Sequence, residues 1–196
     1  MLLYYSPTSP YVRKVSVTAS ELGIALDLER VAVHAFPSDY GRINPVNRIP
    51  ALRLDDGSMM FDSRVICEYL DTLKGSRLLP PTGPERWQVL KRQVLGDGIP
   101  DAAVPRIGEV MRPPAQQSPG RLAEYERSIR QTLDALEMSA GDLDRLDLGT
   151  IAIGCGLGYL DFRFPKDEWR SGRPSLAGWY AEFAKRPSMA ATIPKA

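Results

Sequence analysis

Tyr4-Tyr5-Ser6-Pro7-Thr8-Ser9-Pro10-Tyr11-Val12-Arg13-Lys14 is the stretch that decides the fold. Residues 2–5 are apolar or aromatic and read as a first strand. Ser9 then stands directly before Pro10. A serine can accept a hydrogen bond from a free N–H of the first turn, and proline suits that turn because its missing N–H is not needed there. Tyr11, Val15, Ala19 and Leu22 follow at helical spacing, and Gly23 closes the helix.

Working outward, residues 26–29 alternate, and Val31 and Val33 continue a second strand. A polar stretch with Pro37, Gly41, Asn44 and Pro45 leaves room for one short helix. Residues 51–54 and 58–61 flank Asp56-Gly57, a hairpin signal. Ser63 is expected to cap a helix with Ile66, Tyr69, Leu70 and Leu73 on one face. The predicted order is βαβαββα.

Residues 75–84 are rich in Gly and Pro and read as a linker. Everything beyond is helical in pattern. Pro84 starts a long helix through Trp87, Leu90, Val94 and Leu95, which Gly96, Gly98, Pro100 and Pro105 are expected to kink or break. Residues 112–118 read as a loop. Leu122, Tyr125, Ile129, Leu133 and Leu136 form an amphipathic stripe. Residues 151–160 are apolar or small all round, as in a buried central helix. Leu176, Trp179, Tyr180 and Phe183 mark a last helix, and Pro187 and Pro194 punctuate the tail. The expected units are 1–75, a linker at 76–83, and an all-helical unit at 84–196.

Composition excludes several functions. The 196 residues are 43% hydrophobic, with a formal net charge of +1. No basic block offers a nucleic-acid surface. No apolar run approaches a membrane span of ~18 residues, and nothing reads as a signal peptide. A soluble cytoplasmic protein is the expectation. Two cysteines, Cys67 and Cys155, allow no disulfide framework or Cys-rich metal site. The single histidine, His34, falls where a strand passes into a loop and leaves little room for zinc chemistry. No metal is expected. Gly154-Cys155-Gly156-Leu157-Gly158 lies inside an apolar helix, not between a strand and a helix, so it is not a nucleotide loop. Its glycines are expected to let helices approach, and both cysteines to fill the core.

Three points carry chemistry. A thiol at the helix start near Ser9 would ionise more easily, because free N–H groups and a serine hydroxyl favour the thiolate. Ser9 could equally do no more than cap, and Ser6 and Thr8 are rivals as donor. Ile49-Pro50 can adopt the cis form. That would turn the Ile49 N–H and C=O toward an extended ligand; an ordinary trans proline at a strand start is the alternative. Ser63 at its helix start could bind a carboxylate, and Asp62 an ammonium; a simply capped helix is the alternative.

Taken together, these motifs make the chain resemble a bacterial glutathione S-transferase along nearly its whole length. Residues 9–14 look like the active-site helix start of that superfamily. Asn44-Pro45, Ile49-Pro50 and Phe61-Asp62-Ser63 look like its glutathione-site elements. Residues 151–163 look like its core helix, and Arg186-Pro187-Ser188 like its usual ending. The resemblance implies a thioredoxin-like domain followed by an all-helical one, usually in a homodimer, with glutathione as cosubstrate. It places Ser9 at the sulfur with Thr8 nearby, Ile49 and Pro50 along the cysteinyl unit, and Asp62 and Ser63 at the γ-glutamyl end. It places Arg48 at the glycine carboxylate. The second substrate, a small electrophile, would lie near Tyr11, Asp101 and Ile107, facing residues 96–107.

Two departures stand out. Position 9 is serine, which disfavours the mixed-disulfide chemistry of cysteine-bearing classes. The core-helix box is reversed, with Asp147 before Thr150, so a reciprocal contact need not form. A glutathione transferase is the expected function. A non-catalytic glutathione-binding module and a glutathione-dependent reductase or peroxidase are the alternatives.

Overall fold

A computed structural model describes residues 1–32 and 39–195. The elements run β1 (Leu2–Tyr5), α1 (Pro10–Glu21), β2 (Asp27–Arg30), α2 (Tyr40–Ile43), β3 (Ala51–Arg53), β4 (Met59–Met60) and α3 (Ser63–Thr72). After residues 73–83 come α4 (Pro84–Val110), α5 (Pro119–Met138), α6 (Leu148–Arg163), α7 (Pro174–Phe183) and α8 (Pro187–Ala191). Single 3-10 turns stand at Pro114–Gln116 and Ala140–Asp142. The architecture is a thioredoxin-like α/β layer followed by helices only. Among the described residues, no helix is long and apolar enough to cross a membrane.

The sheet order is β2-β1-β3-β4, with β1 parallel to β2 and antiparallel to β3, and β3 antiparallel to β4. β2 is an edge strand exposed at every position. It is shorter than its apolar pattern suggested. Val31 follows it, buried, with its N–H donating to the Tyr5 carbonyl at 2.8 Å. Val33, His34 and Pro37 lie outside the described residues. The hairpin turns at Gly57 (φ +87°), while the Asp56 carboxylate accepts from the Ser58 N–H and hydroxyl.

Three sequence expectations need correction. The long helix is not broken. α4 runs from Pro84 to Val110 through Pro100 and Pro105. Each proline removes one internal hydrogen bond, but α4 packs along α6 over most of its length. At Gly96 an added Cβ would lie 2.4 Å from the Ile153 nitrogen. At Gly156 it would lie 2.8 Å from the Gly96 carbonyl oxygen. These absent side chains let the two backbones touch, and tertiary packing carries the helix past its prolines.

The reversed box at the start of α6 does close. Asp147 accepts from the Thr150 N–H at 2.8 Å, and Thr150 Oγ1 accepts from the Asp147 N–H at 2.9 Å. Threonine's hydroxyl can accept this bond as a carboxylate does, so exchanging the residues preserves both contacts. Finally, Pro187 begins the short helix α8 rather than merely ending the chain.

The core runs from Leu3 and Leu52 in the sheet through α1 and α3 into α4 and α6. The segment between α3 and α4 is anchored to it. Leu78 and Leu79 are buried, and the buried Asp71 carboxylate accepts from both of their N–H groups at 2.9 and 2.8 Å. Cys67 and Cys155 are buried free thiols, and burial pushes them up to about 11 and about 12. Such thiols are inert packing groups.

Candidate functional site

Strand register gathers the three motifs. Tyr4 pairs with Ala51, and Leu52 with Met60. Continuing the register, one residue beyond the first ladder brings Pro50 level with Tyr5, and two residues beyond the second brings Asp62 level with Pro50. The turn that leaves β1, the turn that enters β3 and the turn that leaves β4 therefore share one end of the sheet. The helices α1 and α3 both start there.

Ser9 is the N-cap of α1, and its Oγ accepts from the Val12 N–H at 3.3 Å. Accepting leaves the hydroxyl proton free to be donated. Ser6 and Thr8 share a hydroxyl–hydroxyl bond of 3.2 Å. Both rivals are thus already engaged with each other.

Ile49-Pro50 is cis, and so is Phe61-Asp62. The loop before Pro50 is shaped by Asn44, which is buried. Its amide donates to the Arg48 carbonyl at 2.7 Å, and its side-chain oxygen accepts from the Val46 N–H. Tyr40 donates to the same carbonyl at 3.1 Å. The Arg48 side chain is exposed. Asn44 was noted in the sequence only through Asn44-Pro45; its role in holding residues 44–48 is tertiary.

The cap of α3 is Asp62, not Ser63. The Asp62 carboxylate accepts from the Arg64 N–H at 2.9 Å, and Ser63 is the first helical residue, buried at 3% exposure. A carboxylate is the stronger acceptor toward a helix start, which decides between neighbouring candidates.

An ionic network ties this end of the sheet to α4. Lys14 and Asp97, both buried, are joined by bonds of 2.7 and 2.9 Å. Arg64 Nε donates to Asp97 at 2.7 Å, and its guanidinium lies 3.6 Å from Asp101. Asp101 accepts from the Tyr11 hydroxyl at 2.5 Å. Burial, then this bond to a carboxylate, pushes the Tyr11 phenol far above its usual value. Tyr11 and Asp101 thus meet directly. Ile107 stands six positions beyond Asp101 on α4 and packs partly against the core. No local signal in the sequence marks Lys14, Arg64 or Asp97; the packing of α1, α3 and α4 brings them together.

The model for the glutathione S-transferase N-terminal domain matches residues 3–80. A GST-like protein of Escherichia coli K12, YibF, described as uncharacterized, is 36% identical over 99% of this chain and 98% of its own. The crystal structure of a glutathione transferase family member from Pseudomonas fluorescens Pf-5 with bound glutathione superposes with a TM-score of 0.93. It is 41% identical and covers 100% of this chain and 99% of its own. The same family member with bound S-(propanoic acid)-glutathione gives 0.89, covering 100% of both chains. The chain belongs to the glutathione S-transferase family.

Proposed function

We propose that this protein is a glutathione transferase, moving an alkyl or aryl group from a small electrophile to the sulfur of glutathione. The observation that carries the reading is the convergence of Ser9, Pro50 and Asp62 at one end of the sheet. Residues 1–75 would hold glutathione, residues 84–196 would cover the second substrate, and 76–83 would join them. Glutathione would lie extended along Ile49 and Pro50, with its γ-glutamyl end at Asp62 and Ser63 and its glycine carboxylate near Arg48. Ser9, with Thr8 beside it, and the start of α1 would hold the sulfur as thiolate. The sulfur then forms a bond to carbon while the leaving group departs with the bonding pair. No covalent enzyme intermediate is needed, because the bound cosubstrate is the nucleophile.

Two complexes of one relative support this reading: one holds glutathione, the other a glutathione thioether, which is the type of product the reaction makes. The chemistry suits detoxification in the cytoplasm. A homodimer is part of the proposal, through α3 and α4. Val65 on α3, and Trp87 and Val94 spaced seven apart on α4, are large apolar side chains left exposed.

Calorimetry and thermal unfolding at millimolar glutathione test the reading. Bound ligand at 100 times Kd adds about 2.7 kcal/mol of stability, so a clear rise in Tm is expected. Absence of both heat and stabilisation would overturn it. Binding without turnover across a panel of electrophiles would favour a non-catalytic module.

A further inference from the structure

Arg163 closes α6, and its surroundings are unusual for an arginine. Its guanidinium lies 4.4 Å from the centroid of the Phe162 ring and 6.0 Å from that of Tyr159. Its Nε is buried with no hydrogen-bond partner, as are those of Arg92 and Arg106. Among the described residues no carboxylate pairs with it. The nearby acids are engaged elsewhere: Asp161 with Arg170, Asp167 with Arg106, and Asp101 with Tyr11 and Arg64. By contrast Arg106, stacked on Phe164, has two carboxylates, Asp167 and Glu126.

The packing of three helices shows where Arg163 stands. Along α6, Gly149 meets Val89 and Arg92 of α4, and Gly156 meets Gly96 and Ile99. Residues seven apart share a helix face, so Arg163 continues that stripe one step beyond, level with residues 103–106 of α4. Ala152, which packs on Gly96, is likewise followed by Tyr159. Gly158 meets the Arg13 guanidinium of α1. Meanwhile α1 runs opposite to α4, with Lys14 at Asp97 and Tyr11 at Asp101. The first turn of α1 thus arrives at the same level as Tyr159, Phe162 and Arg163. The sulfur, in the transferase reading, would sit at that start of α1.

We propose that Arg163, stacked on Phe162 beside Tyr159, is a binding residue for the second substrate and selects small electrophiles that carry a carboxylate. This rests on the transferase reading above. Stacking on Phe162 occupies one face of the guanidinium, and one N–H reaches the Tyr159 oxygen; further N–H donors remain in the plane, where a carboxylate is bound through two parallel bonds. Lys14 and Arg64 are matched by Asp97 and Asp101. Arg163, like Arg13 and Arg48, is a positive charge with no carboxylate partner among the described residues. In the reaction the sulfur bonds to carbon and a halide or similar group leaves with the bonding pair, while the carboxylate only binds.

Two conjugates that differ at one group test this: S-carboxymethylglutathione, which is charged, and S-carbamoylmethylglutathione, its neutral isostere. Calorimetry compares both, and glutathione itself, on the wild type, Arg163→Met and Arg163→Lys. The wild type is expected to bind the carboxymethyl conjugate about tenfold more tightly than the carbamoylmethyl one. Arg163→Met is expected to lose the preference while keeping its affinity for glutathione, and Arg163→Lys to keep part of it. A wild type that shows no preference overturns the proposal without any variant being needed. So does a preference that survives in Arg163→Met. If glutathione does not bind either, the transferase reading falls as well; if glutathione binds and the preference is absent, only the role of Arg163 falls.

Discussion

Tyr11 and Asp101, ninety positions apart in the chain, meet in a hydrogen bond of 2.5 Å that joins the first turn of α1 to the middle of α4. Burial and this bond raise the Tyr11 pKa, so the folded state holds the proton more firmly than the unfolded chain does. The stabilisation is therefore fully present below the unfolded value of about 10 and is lost as pH rises beyond it. Against Tyr11→Phe, the wild type should hold an advantage of about 1.5–3 kcal/mol near neutrality. The advantage should shrink above pH ~10. Urea unfolding of both proteins across that range measures it, and an advantage that grows with pH would contradict the assignment.

Asp97 is flanked by Lys14 and Arg64, and the Lys14 pair is almost fully buried. Asp97→Ala leaves the Lys14 charge without a counter-ion in the core. Breaking a buried pair from one side costs about 3–5 kcal/mol. The double variant Lys14→Met, Asp97→Leu should recover much of that loss, because no buried charge then remains. Chemical denaturation of the three proteins checks the order.

Glu21 binds Arg186 through two bonds of 2.8 and 2.9 Å and also accepts from Ser188, fastening the C-terminal segment to α1. The Arg186 hydrogen bonds hold its carboxyl below the usual range. A depressed carboxylate contributes stability that is present above about 4.3 and lost as pH falls through the folded value. Glu21→Gln should be less stable than wild type near pH 7, and the difference should narrow below pH ~4.3. A gap that stays constant into acid would show that the pair contributes nothing through its charge.

Ser9 can act on the sulfur or only on the helix. Losing the cap costs about 1 kcal/mol of stability. If the hydroxyl also holds the thiolate, Ser9→Ala should raise the pKa of bound glutathione, at ~1.4 kcal/mol per unit, and slow turnover near neutrality. Titration of thiolate absorbance in the two complexes separates these effects. Coincident curves would remove Ser9 from the mechanism.

The exposed apolar faces of α3 and α4 are expected to meet in a dimer. Trp87→Glu with Val94→Glu should then yield a monomer by light scattering at micromolar concentration while glutathione binding persists. A wild-type mass equal to that of one chain would contradict the dimer directly.

The sequence by itself determined the order of elements, because each boundary carries a local signal. Ser9-Pro10 starts α1, Asp56-Gly57 turns the hairpin, and Pro84 opens α4. Local chemistry of that kind acts within a few residues and is legible in one dimension. It also marked Ser9, Pro50 and Asp62, since caps and X–Pro bonds are local features. Tertiary structure decided whatever depends on a distant neighbour. Pro100 and Pro105 look like helix breaks until α6 is packed alongside, with Gly96 and Gly156 allowing contact. Asp62 rather than Ser63 caps α3 because the carboxylate reaches the Arg64 N–H in the folded turn. Nothing local in the sequence marks the charges of Lys14, Asp97 and Arg163, because only packing removes water from them. Desolvation turns Lys14 and Asp97 into a fixed cross-link and leaves Arg163 with a buried, unpaired donor. The energy of a charge depends on what surrounds it, and those surroundings come from helices far apart in the chain.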